Sequence, residues 1–288
     1  MIQPLEFIRP GTLQKVLEML AANDAAVRPL AGGTDIVPGM QQQSRRFAGI
    51  RKLIDIAHLP ELTGVRETDH SISLGAALTF SQIQQHPLLQ EKFPLLVKAV
   101  STIGSLQIRN RATLAGNFVN NAPCADSVPA LLVYGAAVRI QSLENDRTLP
   151  LAEFLIKPYQ TQLEPDELVT EIILPLPDSA FRGDFRKLGR RRGVAISRIT
   201  LAVVLKIADN SVTELRAASG AVTPIGVRFT ELEEWAKGQE ISDEFMRNAA
   251  DRLGRAVLEK TGLRWSTPHK LPVTQQMFYQ LLFQLIRK

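Results

Sequence analysis

The chain has 288 residues, and 45% of them are apolar, which is enough to fill the cores of two packed units or of one large one. Its 34 basic and 29 acidic residues leave a formal net charge of +5, but they are interspersed, so the composition does not favour a nucleic-acid-binding protein. Cys124 is the only cysteine, which excludes an internal disulfide, a four-cysteine zinc site and an iron–sulfur cluster held by this chain alone.

The amino-terminal residues lack a basic head followed by an apolar core, and no run approaches the roughly twenty apolar residues of a membrane span. The four histidines are scattered and do not have the spacing of metal ligands. We therefore expect a cytoplasmic, soluble protein that holds no metal of its own and binds neither a membrane nor nucleic acid.

Helical and extended signals alternate through the first 177 residues. Thr12 precedes apolar residues at helical spacing and predicts a helix N-cap, and the extended run VRPL (27–30) leads into a pair of glycines. Further along, the pattern predicts a helix near residues 94–103 and a loop-rich stretch from Gly104 to Asp126. Strands are predicted at residues 52–56, 72–78, 136–143 and 167–177.

Pro175 and Pro177 end the last of these strands, and the polar stretch DSAFRGD (178–184) is a candidate domain boundary. Beyond it, residues 200–222 alternate around Asp209 and Asn210 as a β-hairpin would. Two further segments, residues 242–260 and 274–288, have helical periodicity. We therefore expect one domain of residues 1–177 and a smaller one of residues 178–288.

The stretch RPLAGGTDIVP (28–38) places two adjacent glycines after a strand. Glycines let the backbone approach a ligand closely, and successive N–H groups at such a turn can bind phosphate oxygens. Thr34 or Asp35 could cap a following helix with Pro38 in its first turn. A tight turn ahead of a capped helix gives the same pattern, and the stretch is not the G-x-G-x-x-G dinucleotide fingerprint. Taken alone, it leaves both interpretations open.

A second stretch, TIGSLQIRNRATLAGNFVNNAPCADSVPAL (102–131), collects asparagines, arginines and hydroxyls among apolar residues. An ordinary connection between secondary-structure elements is much shorter. Buried asparagines and backbone amides need partners, and a large polar ligand would supply them, whereas a solvated surface loop is the alternative. Burial of much of this stretch is indicated by Ile103, Leu106, Ile108, Leu114 and Phe118.

Three stretches, PLAGGTDIVP (29–38), STIGSLQIRNRATLAGN (101–117) and ADSVPALL (125–132), resemble the FAD-binding subunit of the molybdenum hydroxylases in their order and spacing. That family includes xanthine dehydrogenase and aerobic carbon monoxide dehydrogenase, and GAVTPIGVR (220–228) extends the resemblance towards the C-terminus. The resemblance implies an α+β fold. It has a two-subdomain FAD-binding region of the vanillyl-alcohol oxidase type, followed by a smaller α+β C-terminal domain of the carbon monoxide dehydrogenase flavoprotein type with an antiparallel sheet.

Carried over by position, the resemblance implies two pyrophosphate loops, at residues 31–35 and 113–117. Ala115 stands where the family's T-x-G-G-N motif has a glycine, and after Lys187 this chain has GVAIS (193–197) where some relatives place an aromatic residue over the flavin. Asp126 matches an acid that contacts the cofactor, Leu168 borders the flavin, and Lys187 lies near the isoalloxazine edge. The full cofactor-binding set that it implies is Leu30, Ala31, Gly32, Gly33, Thr34, Asp35, Ile103, Thr113, Leu114, Ala115, Gly116, Asn117, Asp126, Leu168 and Lys187.

The resemblance also implies a heterotrimer. A large molybdopterin subunit oxidises the substrate, a small subunit with two [2Fe–2S] clusters relays electrons, and FAD passes them to NAD, quinone or oxygen. No catalytic acid or base can be named from spacing. Two other functions stay open at this stage: a free-standing FAD-dependent oxidoreductase with its own small substrate, and a nucleotide-binding protein without redox chemistry. A basic segment is either a solvated face or a site for an anionic flavin or a partner: Arg186, Lys187, Arg190, Arg191 and Arg192.

Overall fold

Three sheets and one short hairpin organise residues 5–22, 24–191 and 193–287, which are the residues described in the computed structural model. The first sheet is parallel and has three strands, the second is antiparallel and has five, and the third is antiparallel and has four. Helices pack against all three. Helices set against largely antiparallel sheets are typical of the α+β class that the resemblance implies.

The first subdomain is built on the parallel sheet, with strand order β1-β3-β2. Its first helix begins where predicted, because the Thr12 hydroxyl accepts a hydrogen bond from the Lys15 N–H at 3.3 Å. Val16 and Leu20 of that helix point into a small core that also contains Ile54. The elements are β1 (Glu6–Ile8), α1 (Leu13–Leu20), β2 (Val27–Leu30), α2 (Ile36–Gln41) and β3 (Lys52–Asp55), with a 3-10 turn at Arg45–Phe47.

The second subdomain is built on the five-stranded sheet, with strand order β4-β5-β10-β6-β7. Its helices lie between the early and late strands along the chain and share one large core with them. The elements are β4 (Val65–Glu67), β5 (Ser71–Gly75), α3 (Phe80–Gln85), α4 (Pro87–Lys92), α5 (Pro94–Ser101), α6 (Leu106–Arg109), α7 (Leu114–Asn120), α8 (Ser127–Val133), β6 (Ala137–Gln141), β7 (Asp146–Pro150), α9 (Leu151–Phe154), β8 (Leu155–Lys157), β9 (Gln160–Thr161) and β10 (Leu168–Pro175).

The stretch from Gly104 to Asp126 is less loop-rich than the sequence predicts, since it contains α6 and α7. The hydroxyl residues that indicated loops are helix caps: Ser105 accepts from the N–H of Ile108 and Thr113 from the N–H of Gly116. The expected burial is also only partly right. Leu114 and Phe118 are fully buried, whereas Leu106 is 56% exposed and Ile108 is 38% exposed.

The third sheet has the strand order β11-β12-β13-β14, and three helices follow it. The predicted hairpin at Asp209 and Asn210 is present, and both residues have positive φ, 47° and 56°, as a two-residue type I′ turn requires. The elements are β11 (Arg182–Gly189), β12 (Ser197–Ala208), β13 (Ser211–Gly220), β14 (Val227–Arg228), α10 (Thr230–Ala236), α11 (Asp243–Thr261) and α12 (Thr267–Arg287).

Strand β12 is buried on both faces. Leu201 and Val203 point into the core formed with α10, α11 and α12. Ala202 and Val204 point the other way, into the core of the second subdomain. One strand contributes to two cores because its side chains alternate between the two faces of the sheet. Helices α5 and α8 of the second subdomain cover one of these faces.

The described residues contain neither a membrane-spanning helix nor a metal-binding cluster. None of their helices is long and apolar enough to cross a membrane. No group of three His, Cys, Asp or Glu side chains among them is placed to hold a metal ion.

Candidate cofactor-binding site

The first glycine loop, residues 30–35, connects β2 to α2 and touches another part of the chain. A Cβ on Gly32 would lie 2.1 Å from the carbonyl oxygen of Arg111 and 2.8 Å from the Cα of Ala112. Real Cβ atoms do not approach backbone atoms this closely. The contact between this loop and the segment that leads into α7 is therefore enough by itself to require glycine at position 32.

Gly33 is required for a different reason. Its φ is +73°, in the left-handed region, while a Cβ there would meet its nearest neighbour, Leu30 Cδ1, at an ordinary 3.4 Å. The space is available, and the backbone conformation is what favours glycine.

Most backbone N–H groups of the first glycine loop donate no hydrogen bond within the described residues. Among the described residues, the N–H groups of residues 32–35 have no hydrogen-bond partner, and the Asp35 side chain at the N-cap of α2 makes no capping bond. Residues 32–34 are half-buried, whereas Asp35 is exposed, and backbone donors that are partly withdrawn from water favour an acceptor. Four consecutive free N–H groups at a turn ahead of a helix suit an anionic group such as a phosphate.

The second glycine loop, residues 113–117, forms the first turn of α7. Thr113 caps the helix by accepting from the Gly116 N–H at 3.1 Å, and the Asn117 side-chain oxygen accepts from the Ser127 hydroxyl at 2.7 Å. Ala115 is only 5% exposed and belongs to the core of the second subdomain together with Leu114. The methyl group that replaces the family's glycine is thus accommodated by packing inside the protein.

A cleft of about 350 Å³ lies beside both glycine loops. Ala31 of the first loop and Thr113 of the second line it, together with Arg111, whose backbone touches Gly32. Thr79, which forms an isolated β-bridge with Thr113, is also part of the wall. The structure therefore brings the two predicted loops to one cleft.

Asp126 and Lys187 form a buried ion pair between the FAD-binding region and the third sheet. The Lys187 Nζ lies 2.7 Å from Asp126 Oδ2 and also donates to the carbonyl of Thr102 at 2.9 Å. The Ser197 hydroxyl donates to the other carboxylate oxygen of Asp126. Burial raises the pKa of Asp126, and the Lys187 charge and the two hydrogen bonds oppose that effect.

The remaining predicted residues lie in two different surroundings. Leu168 is 5% exposed and packs in the core of the first subdomain, against which Ala31 also packs. Ile103 is half-buried against the core of the second subdomain, one residue after the carbonyl that accepts from Lys187. Leu30 is half-buried at the end of β2.

The arginines of the basic segment at residues 186–192 lie in different surroundings. Arg186 donates to Gln280 and Gln284 on α12, and Arg191 donates to the carbonyl of Val194. Arg190 is exposed, and Arg192 lies outside the described residues.

Sequence reasoning missed the residues whose partners are distant along the chain. Ser197 reaches Asp126 across 71 residues, and Thr102 reaches Lys187 across 85. Cys124 was treated only as a lone cysteine, but its thiol lies close enough to Asp126 to be influenced by it. Burial, together with the Asp126 charge, raises the pKa of the Cys124 thiol, so it remains protonated near neutral pH.

Comparison with known families identifies the chain. Residues 3–177 match the family described as the FAD binding domain in molybdopterin dehydrogenase. The chain belongs to this family. Residues 184–285 of this FAD-binding subunit match the carbon monoxide dehydrogenase flavoprotein C-terminal domain.

Individual relatives cover the FAD-binding subunit almost completely. It is 30% identical to the nicotinate dehydrogenase FAD-subunit of Eubacterium barkeri, over 99% of this chain and 97% of that one. It is also 30% identical to a putative xanthine dehydrogenase FAD-binding subunit of Escherichia coli K12, over 96% and 94%. A solved carbon monoxide dehydrogenase from Hydrogenophaga pseudoflava matches with a TM-score of 0.91 and 26% identity, covering 98% of this chain and 97% of that one.

These findings confirm the resemblance seen in the sequence. The subunit has the predicted α+β fold, with an FAD-binding region followed by a domain with an antiparallel sheet. Its cofactor is FAD, and it is a subunit of an oxidoreductase of the molybdenum hydroxylase type.

Proposed function

We propose that the subunit holds the FAD pyrophosphate between its two glycine loops and transfers electrons within a complex that also contains an iron–sulfur subunit and a molybdopterin subunit. The observation that supports this placement most directly is the set of four unpartnered N–H groups at residues 32–35, which directly follow Ala31, the residue of the first loop that lines one cleft with Thr113. When bound, FAD supplies the hydride and one-electron chemistry that no side chain can provide.

The chain's own residues would bind and orient the cofactor. The free N–H groups of the first glycine loop donate to phosphate oxygens, and the N–H of Ala115, which has no partner among the described residues, adds a donor from the second loop. The ion pair of Lys187 with Asp126 and the Lys187 hydrogen bond to the Thr102 carbonyl tie the third sheet to the chain next to Ile103. Leu30 would contribute apolar surface, and Leu168, which is buried in the core of the first subdomain, would support the loop from behind through that core.

The choice of substrate belongs to another subunit. The relatives named above are parts of enzymes called after nicotinate, xanthine and carbon monoxide, although each matches this chain over 94% or more of its length. Three unlike substrates on one type of chain indicate that the chain does not select them. The terminal acceptor is NAD, quinone or oxygen, and the cytoplasmic location remains a prediction.

The experiment is isolation of the tagged chain from its native cell under mild conditions. We expect two further chains to accompany it, one of them carrying iron and acid-labile sulfide, because a chain with one cysteine cannot hold a [2Fe–2S] cluster alone. Recovery of a lone flavoprotein that turns over a small molecule would establish a free-standing enzyme instead. Recovery of a colourless chain with a bound nucleotide would establish a binding protein without redox chemistry.

A further inference from the structure

Arg46 spans the gap between the two subdomains that carry the glycine loops. It lies in the 3-10 turn Arg45–Phe47 of the first subdomain. Its guanidinium carbon is 3.8 Å from the centroid of the Tyr159 ring, and the same group donates a hydrogen bond to the side-chain oxygen of Asn120. Both partners belong to the second subdomain.

The partners of Arg46 are fixed to the end of α7. Asn120 is the last residue of that helix, and the next residue, Asn121, is only 1% exposed. The Asn121 side-chain amide donates to the carbonyls of Lys157 and Gln160, at 2.9 and 3.0 Å. The Tyr159 N–H donates back to the Asn121 carbonyl at 2.9 Å. The backbone of Tyr159 is therefore tied to the end of α7, whose first turn is the second glycine loop, and its ring is half exposed.

The turn that carries Arg46 is fixed to α2 in the same way. The Phe47 ring occupies the space beside Gly39, where a Cβ would lie 2.2 Å from it, and the Ser44 N–H donates to the Gly39 carbonyl at 2.9 Å. Helix α2 begins directly after the first glycine loop. Arg46 is also close to that loop's acid: withdrawal from water raises the pKa of Asp35, and the Arg46 charge opposes this.

We propose that Arg46 is a positioning residue for the cofactor: its contacts with Asn120 and Tyr159 hold α2 and α7 together, so that the two glycine loops keep the separation that the Gly32 contact allows, and this raises the affinity for the FAD pyrophosphate. The inference rests on the proposed placement of the pyrophosphate between the loops. A guanidinium can stack on an aromatic ring and donate a charge-assisted hydrogen bond at the same time. A site that is held at the right spacing before the ligand arrives binds more tightly, because less ordering remains to be done on binding.

The test is titration of the full chain, freed of flavin, with FAD and with ADP, which shares the pyrophosphate. We expect Arg46→Ala and Tyr159→Leu each to weaken both ligands about tenfold. The double variant should bind no more weakly than Arg46→Ala alone, because Arg46→Ala already removes the stacking contact that Tyr159→Leu removes. Arg45→Ala is the matched control, since it removes an exposed arginine of the same turn, and it should bind FAD as the unaltered chain does.

Arg46→Lys separates positioning from charge, because lysine keeps the charge but loses the flat stacking group. A positioning role predicts that Arg46→Lys remains weak. Full recovery in Arg46→Lys, with no effect of Tyr159→Leu, would overturn the role. If Arg46→Ala does not fold, Tyr159→Leu and Arg46→Lys carry the same test. Unchanged FAD and ADP affinities in a folded Gly33→Val variant would overturn the pyrophosphate placement itself, independently of Arg46.

Discussion

The carbonyl oxygen of Arg111 lies 2.1 Å from the position that a Cβ on Gly32 would occupy. The first glycine loop of the FAD-binding subunit is therefore in direct backbone contact with the segment that leads into the second, with no side chain between them. The two adjacent glycines are needed for different reasons. Gly32 lacks the side chain that would collide with Arg111, and Gly33 adopts a positive φ that other residues disfavour.

Gly32→Ala is expected to destabilise the chain even without cofactor. A methyl group would collide with backbone that cannot rotate away, and overpacking of this kind lowers the free energy of unfolding by about 1–3 kcal/mol. Urea denaturation of the flavin-free chain measures the change. Gly11→Ala is the control, because a Cβ at Gly11 meets no atom within 4 Å. Equal stability of the two variants would show that the loops can separate at little cost.

Gly33→Val is expected to remove FAD while the chain stays folded. A β-branched residue strongly disfavours the φ of +73°, so the loop must change its conformation and the free N–H groups lose their arrangement. Flavin absorbance after purification and far-UV circular dichroism are the measurements. Gly49→Val imposes the same kind of strain at a φ of +83° outside the glycine loops and should keep its FAD. An unchanged flavin content in folded Gly33→Val would contradict the assignment of this loop.

Lys187→Met is expected to lower the free energy of unfolding by about 3–5 kcal/mol at neutral pH, because it leaves the Asp126 carboxylate buried without its counter-ion. Adding Asp126→Asn should recover part of the loss. Lys98→Met breaks a more exposed pair with Asp184 and should cost less. Denaturation of the flavin-free variants measures all three changes. If Lys187→Met is no less stable than the double variant Lys187→Met/Asp126→Asn, the unpaired Asp126 carboxylate is not the cause of the loss.

The pH dependence of Lys187→Met follows from the direction of the Asp126 shift. Burial raises the pKa of this carboxyl, so the folded chain binds more protons than the unfolded chain, and the site's contribution to stability falls as the pH rises through the folded pKa. Without Lys187 the pKa rises further. The deficit of Lys187→Met relative to the unaltered chain should therefore shrink on acidification. Denaturation curves across the acidic range would show it, and a deficit independent of pH would not fit.

FAD is expected to leave the chain on denaturation in acid, because it is bound non-covalently. Neither glycine loop contains a histidine or a cysteine, and the nearby Cys124 thiol has a raised pKa and is a poor nucleophile. The supernatant should be yellow and contain a compound with the mass of FAD. Flavin that stays on the precipitated chain, or FMN in place of FAD, would contradict this expectation.

Local signals were predictable from the sequence because their causes are local. The Thr12 cap acts over three residues, and the Asp209–Asn210 turn joins adjacent strands. The hydroxyls of Ser105 and Thr113 were misinterpreted as loop residues, because caps and loops favour the same side chains.

The long-range contacts of the site could not be predicted in this way. Nothing near Gly32 in the sequence indicates that Arg111 lies against it, and Asp126 meets Lys187 across 61 residues. The family resemblance indicated which residues belong together, but the physical reasons for Gly32 and for Ala115 became visible only in the fold.

The strand that serves two cores also affects how the chain can fold during synthesis. Phe185, Ala202, Val204 and Ala218, all from the third sheet, complete the core of the second subdomain. The FAD-binding region emerges first from the ribosome, but its apolar interior stays open on one side until β13 has been made. A fragment that stops at residue 177 would expose that surface to water and to other chains. We therefore expect stable flavin binding to require the C-terminal sheet.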